Sequence, residues 1–283
     1  MPGLITDDGR TLSWRELGSG PPLLCHPGGP GFSALYFGEL PELAAERTLL
    51  LLDPRGTGGS DRPRDASDYA LEDYAADVEA LREHLGLERV DVLGHSHGGF
   101  VAMVWAGTYP DRVRRLVLAD TAPRFSDSIR TRRQERVAAH AGRPYFEDAL
   151  AALQSQQGGQ YASDEELGAL YERAGPLLAP LGADIAPIAD ALRPAGINSD
   201  ALRHFNERIA ATMDLRPMLE RIDAPTLVIA GELDPFAGPV LEEMAAALSD
   251  PTVMTIAGAD HFVFLEPEHR PDWSRAVLEF LGT

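Results

Sequence analysis

Six short apolar runs punctuate the chain, at residues 23–25, 48–52, 90–93, 114–119, 225–230 and 252–256. Each ends abruptly in a cluster of glycine, proline or small polar residues. Uninterrupted apolar runs of this length predict strands buried on both faces, as in a parallel sheet. Between the runs the period changes. Leu71, Tyr74, Val78, Leu81 and Leu85 recur at helical spacing with acidic residues between them, and residues 100–109, 240–248 and 271–281 also predict helices. Residues 32–46 are expected to be helical as well. Near the start, residues 4–6 and 11–15 flank the turn dipeptide Asp8-Gly9 and predict a hairpin.

Alternation of strands with helices predicts an α/β fold, a mostly parallel sheet with helices on both faces. The pattern breaks beyond Pro123. Residues 124–214 contain no convincing strand, and their helical stretches are interrupted by Gln156-Gln157-Gly158-Gly159-Gln160 and by prolines 176, 180, 187 and 194. Residues 1–123 and 215–283 are therefore expected to form one α/β core, with 124–214 inserted as a helical cap. The first part of the cap, residues 124–143, carries six arginines against two acids. It is read as a solvated helix face.

Composition narrows the function. Apolar residues make up 44% of the 283, enough for a packed core, and no run approaches the roughly 20 needed to span a bilayer. The acidic first residues lack the apolar stretch of a secretory signal, so a cytoplasmic location is expected. A formal net charge of −19 argues against nucleic acid as a partner. The chain has no lysine, which excludes Schiff-base chemistry and Ser–Lys dyads. The single cysteine, Cys25, precludes an internal disulfide, and no histidines are spaced as metal ligands. Neither metal nor cofactor is expected.

The chemistry gathers where the runs end. The run 90–93 leads into Gly94-His95-Ser96-His97-Gly98 and then a helix. Gly-x-Ser-x-Gly between strand and helix is the pattern of a nucleophile elbow, a turn so tight that its flanking positions must lack side chains. It presents Ser96 at the carboxyl edge of the sheet and leaves the His97 N–H at a helix N-terminus, free to donate to an oxyanion. Serine is a poor nucleophile without a base. The loops after the last two runs supply one: Asp234 follows residue 230 and His261 follows residue 256, in the order Ser…Asp…His. Asp120, after run 114–119, is a rival acid. Glu232 receives no role, and His95 and His97 are read as packing residues.

Together these motifs resemble the α/β-hydrolase superfamily, and within it the prolyl iminopeptidase-type serine peptidases. His26-Pro27-Gly28-Gly29-Pro30-Gly31 is similar to that family's His-Gly-Gly-Pro-Gly loop, which implies that Gly28 or Gly29 supplies a second oxyanion N–H. Asp53-Pro54-Arg55-Gly56-Thr57-Gly58-Gly59-Ser60 resembles its structural Asp-x-Arg-Gly-x-Gly-x-Ser turn. Phe205-Asn206-Glu207 resembles a site that holds the substrate's amino group, making Glu207 a candidate amine binder. The chain departs from that pattern at His97, where the family usually has Trp, and at Pro235, where some members have a second Glu. The resemblance implies a triad of Ser96, Asp234 and His261 working through an acyl-enzyme on a small molecule or short peptide. Release of an N-terminal proline is the first expectation, and an esterase, lactonase or amidase acting on a small metabolite is the alternative. A non-catalytic binding protein and an acyl transferase or perhydrolase are the remaining readings.

Overall fold

The computed structural model describes residues 2–282. Eight strands form one sheet: β1 (Gly3–Ile5), β2 (Thr11–Leu17), β3 (Pro22–His26), β4 (Thr48–Leu52), β5 (Val90–His95), β6 (Val113–Ala119), β7 (Thr226–Gly231) and β8 (Pro251–Ile256). Their order is β1-β2-β4-β3-β5-β6-β7-β8. The hairpin strand β1 pairs antiparallel with β2, and β2 antiparallel with β4; every later pairing is parallel. Parallel pairing sends the carboxyl ends of β3 to β8 to one edge, so the loops after β3, β5, β6, β7 and β8 converge there.

The side-chain period of two explains how short runs build two cores. Leu24, Leu50, Leu52, Val92, Leu116, Leu118 and Val228 face one side, beneath helices Leu71–His84, His97–Thr108 and Pro239–Ala247. Leu23, Cys25, Leu49, Leu51, Leu93, Val117, Leu227 and Ile229 face the other, beneath helix Arg270–Leu281 and the segment around Ala34–Phe37. The two edge strands, β1 and β8, leave most of their residues exposed.

Residues 32–46 do not form the expected single helix. A 3-10 turn at Ala34–Phe37 and a short helix at Pro41–Ala44 are separated by a break. Pro41 disfavours the right-handed helical region for the residue before it, and Leu40, at φ 44°, lies outside that region.

Between β6 and β7 every regular element is helical, from Asp127–Ala139 to Arg216–Leu219. Two of the prolines expected to interrupt this region lie inside helices instead: Pro176 in Asp164–Leu178 and Pro194 in Ala186–Ala195. Both stand near the carboxyl end of their helix, where the loss of one N–H bond leaves little further helix to disturb. Buried cap residues Ala149, Leu153, Leu167, Ala174 and Leu177 pack into the second core, so the insert shares its apolar interior with the sheet domain.

Candidate active site

The turn after β5 has the strain that its sequence demands. Ser96 sits at φ 55°, ψ −119°, between the strand and helix His97–Thr108. A Cβ at Gly94 would strike the Gly98 carbonyl, and one at Gly98 would strike that of His26. Both glycines are needed because backbone passes where a side chain would stand. The Ser96 N–H donates to the Ala119 carbonyl at 2.9 Å, and the Thr121 hydroxyl donates to the Ser96 carbonyl at 2.8 Å, fixing the strained residue from both ends.

Asp234 and His261 come to this serine from the loops after β7 and β8. His261 Nε2 lies 3.1 Å from Ser96 Oγ, and His261 Nδ1 lies 3.0 Å from Asp234 Oδ2. A carboxylate accepts only, so Nδ1 carries the proton and the Nε2 lone pair faces the serine hydroxyl. Asp234 is fully buried, and its other oxygen accepts the Phe236 N–H at 3.1 Å. Burial alone would raise its pKa, but the charge and hydrogen bond of His261, aided by Asp120 and the Phe236 N–H, hold it below the usual carboxylate range.

Asp120 stands behind this pair. Its own φ is 48°, its N–H donates to the Ile229 carbonyl, and its Oδ1 accepts the Gly231 N–H at 2.9 Å. Burial, and then the charge of Asp234, push the Asp120 carboxyl well up. Ligand atoms of Asp120, Asp234 and His261 lie within 4.8 Å of one another, close enough to surround a cation. His261 and Asp234 are committed to each other and Asp120 Oδ1 to the Gly231 N–H, whereas Asp120 Oδ2 is buried without a hydrogen-bond partner among the described residues.

His95, read from sequence as packing, supports the histidine loop. Its Nε2 is 2.7 Å from the His261 carbonyl and its Nδ1 is 2.5 Å from the Tyr36 hydroxyl. Since a carbonyl only accepts, Nε2 bears the proton and Nδ1 receives the one from Tyr36. Burial holds this imidazole neutral, with the nearby His261 charge acting in the same direction. His97 is a packing residue, its ring set edge-on against Tyr74, Phe100 and Phe205.

The glycine loop after β3 lies directly against the serine. A Cβ at Gly28 would come 3.1 Å from Ser96 Cβ and 2.5 Å from the Tyr36 hydroxyl, whereas Gly29 faces Gly31 and Phe32. Of the two, Gly28 packs on Ser96. The Asp53 turn braces this segment, with Asp53 accepting the Ala34 N–H at 2.8 Å and the Gly59 N–H at 2.9 Å.

Two sequence readings change. Glu207 is exposed, in a π-helical turn at Phe205–Ile209, and shares an open groove with Asp65, Ser67, Arg203 and Arg208. No triad residue lines that groove, so the structure does not bring Glu207 to the serine. Within the arginine-rich start of the cap, read as solvated, Arg130 and Arg133 are exposed, but Arg132 and Arg136 face the acid and histidine loops. Arg132 donates to the carbonyls of Glu232 and Asp234, both at 2.8 Å. Arg136 donates to the carbonyls of Leu178 and Leu233 and forms a nearly buried ion pair with Asp260, at 2.5 Å. The signal was the three- and four-residue spacing of Arg132, Arg133 and Arg136, which places them on adjoining positions of one helix.

The arrangement has the parts of acyl-transfer chemistry: an oriented imidazole on a serine hydroxyl, a carboxylate on that imidazole, and helix and loop N–H groups beside them. Comparison with known proteins gives the same family. The sequence pattern of the α/β hydrolase fold matches residues 21–268. A 2-(acetamidomethylene)succinate hydrolase of Mesorhizobium japonicum is 30% identical over 259 residues, which cover 91% of this chain and 87% of the relative. A proline iminopeptidase of Lactobacillus helveticus is 40% identical, but over 105 residues, 36% of either chain. The solved structure of a hydrolase from Pseudomonas aeruginosa superposes with a TM-score of 0.68 at 29% identity, covering 100% of this chain and 98% of that one. The chain belongs to the α/β hydrolase fold family and is a hydrolase.

Proposed function

We infer that the protein is a serine hydrolase that cleaves a small-molecule ester, lactone or amide through an acyl-enzyme. The observation that carries this reading is the continuous hydrogen-bond chain Ser96–His261–Asp234 at 3.1 and 3.0 Å. In this mechanism Ser96 Oγ attacks the substrate carbonyl while its proton passes to His261 Nε2. The new oxyanion is held by the N–H groups of His97 and Gly28. The C–O or C–N bond then breaks, and the leaving group takes the proton from His261. Water, deprotonated by the same imidazole, hydrolyses the acyl-serine and restores the hydroxyl.

Two observations favour a small metabolite over an N-terminal proline peptide. The relative matched along nearly its whole length hydrolyses a small substituted succinate, while the iminopeptidase match spans about a third of the chain. The residue expected to hold a substrate ammonium, Glu207, lies in a groove without triad residues, and Pro235 stands where a second carboxylate would be. A fluorophosphonate probe tests the mechanism: it labels Ser96 in the native chain and leaves Ser96→Ala unlabelled. Parallel assays on short acyl esters, acyl amides and a proline arylamide test the substrate. Turnover confined to the proline arylamide would overturn the small-metabolite reading.

A further inference from the structure

Of the three clustered arginines on helix Asp127–Ala139, Arg132 and Arg136 are occupied by carbonyls and by Asp260. Arg133 is not. Its guanidinium carbon lies 5.3 Å from the centre of the Phe125 ring and 5.2 Å from that of Phe236. Among the described residues it has no hydrogen-bond or ion-pair partner. The residue is exposed. Nevertheless the surrounding protein lowers its pKa, burial first, with the Arg136 charge adding and Asp234 and Tyr171 opposing. Arg133 is thus an exposed residue whose guanidinium lies against two aromatic rings.

Those rings adjoin the candidate reacting groups. The Phe236 ring beneath Arg133 lies 5.5 Å from the His261 ring, centre to centre. Across the site Tyr171, whose hydroxyl is close enough to influence Arg133, packs on Phe32 beside the glycine loop at 5.5 Å. A single aromatic ring therefore separates the guanidinium from the imidazole. Aromatic faces stabilise a cation only in part. An arginine without a hydrogen-bonded carboxylate of its own leaves its planar fork of donors open, and that fork matches a carboxylate through two parallel hydrogen bonds.

We propose that Arg133 binds a carboxylate of the substrate, and that the substrate is an ester, lactone or amide of a short dicarboxylic acid. This rests on the reading of Ser96 as nucleophile. A free ammonium in the same place would meet a like charge, so the proposal also gives a physical reason against an aminopeptidase.

The test separates this proposal from the hydrolase reading. Fluorophosphonate labelling of Ser96 is monitored with and without succinate in the native chain, Arg133→Gln and Arg133→Lys, with circular dichroism to confirm folding. Succinate slows labelling of the native chain; Arg133→Gln requires at least about tenfold more succinate for the same protection, and Arg133→Lys falls between. The ratio of kcat/KM for monoethyl succinate to that for ethyl isocaproate, in which an isopropyl group replaces the carboxylate, falls about 10- to 100-fold in Arg133→Gln. Equal protection of native and Arg133→Gln chains, no protection of either, or an unchanged ratio would overturn the Arg133 assignment while leaving the hydrolase reading intact. Absence of Ser96 labelling would overturn the hydrolase reading, and calorimetric titration of succinate into the native and Arg133→Gln chains would then decide the binding site alone.

Discussion

The carboxyl groups of Asp120 and Asp234 approach each other within 4.8 Å beside the His261 ring, yet only Asp234 is hydrogen-bonded to the imidazole. Two buried carboxyls this close cannot both ionise cheaply, and the pair separates accordingly. Burial and its neighbour's charge push the Asp120 carboxyl toward its protonated form, while pairing with His261 favours the ionised form of Asp234.

Asp234→Asn is expected to lower kcat by about 10⁴-fold, since an amide both removes the charge and favours the wrong imidazole tautomer. Asp120→Asn is expected to cost less than about tenfold. An asparagine amide still donates toward Asp234, its oxygen still accepts the Gly231 N–H, and Asn tolerates the positive φ at this position. Asp120→Ala strands that N–H and is expected to destabilise the fold by about 1–3 kcal/mol. Steady-state kinetics and urea denaturation on the three variants check this; the reverse order of kcat losses would make Asp120 the working acid.

Ser96→Ala is expected to fold normally and to lose about four or more powers of ten in turnover. Alanine removes the nucleophile but keeps the Cβ against which Gly28 packs. Near-native activity in this variant would end the acyl-enzyme reading.

Arg136→Met is expected to cost about 3–5 kcal/mol of stability, because it leaves Asp260 buried without its counter-charge. Burial already raises the Asp260 pKa, with the Arg136 charge opposing, so removing Arg136 raises it further. An acid whose folded pKa lies above its unfolded value loses stability as pH rises between the two. The deficit of Arg136→Met therefore widens with rising pH over that window and shrinks in acid. Urea melts of both chains at several pH values measure it, and a deficit independent of pH would show that the ion pair is not its source.

Three buried histidines set an acid limit. Burial pulls His26 down to about 4, and pulls His95 and His97 well below the ordinary histidine value. A histidine whose folded pKa is depressed contributes stability above the unfolded value of about 6.5, and that stability is lost as pH falls toward the folded value. Each such group removes about 1.4 kcal/mol per pH unit within its window. His97→Phe, which keeps the aromatic contacts with Tyr74, Phe100 and Phe205, is expected to flatten the decline between about pH 6.5 and pH 4 by about one group's share. Equal slopes for the variant and the native chain would rule His97 out as a contributor.

The central strands were legible because they are buried on both faces and therefore read as short apolar runs. The three polar residues at their ends were legible because parallel topology collects those ends at one edge. Local competition misled the reading of residues 32–46, where Pro41 overrides a helical apolar period. The roles of Arg132, Arg133 and Arg136 depend on which face of their helix meets the sheet domain, and a sequence of alternating arginines and polar residues does not encode that orientation. Glu207 failed for a similar reason: a short motif was matched, but the π-helical turn that carries it opens onto a different groove.

The insert is fastened to both halves of the reaction centre. Its Asn198 N–H donates to the Gly31 carbonyl of the glycine loop at 2.9 Å, and its Arg132 and Arg136 grip the segments around Asp234 and Asp260. This segment thus ties the glycine loop to the loops that carry Asp234 and His261. Excising residues 124–214 is therefore expected to expose the second core as well as to loosen the loops around Ser96 and His261.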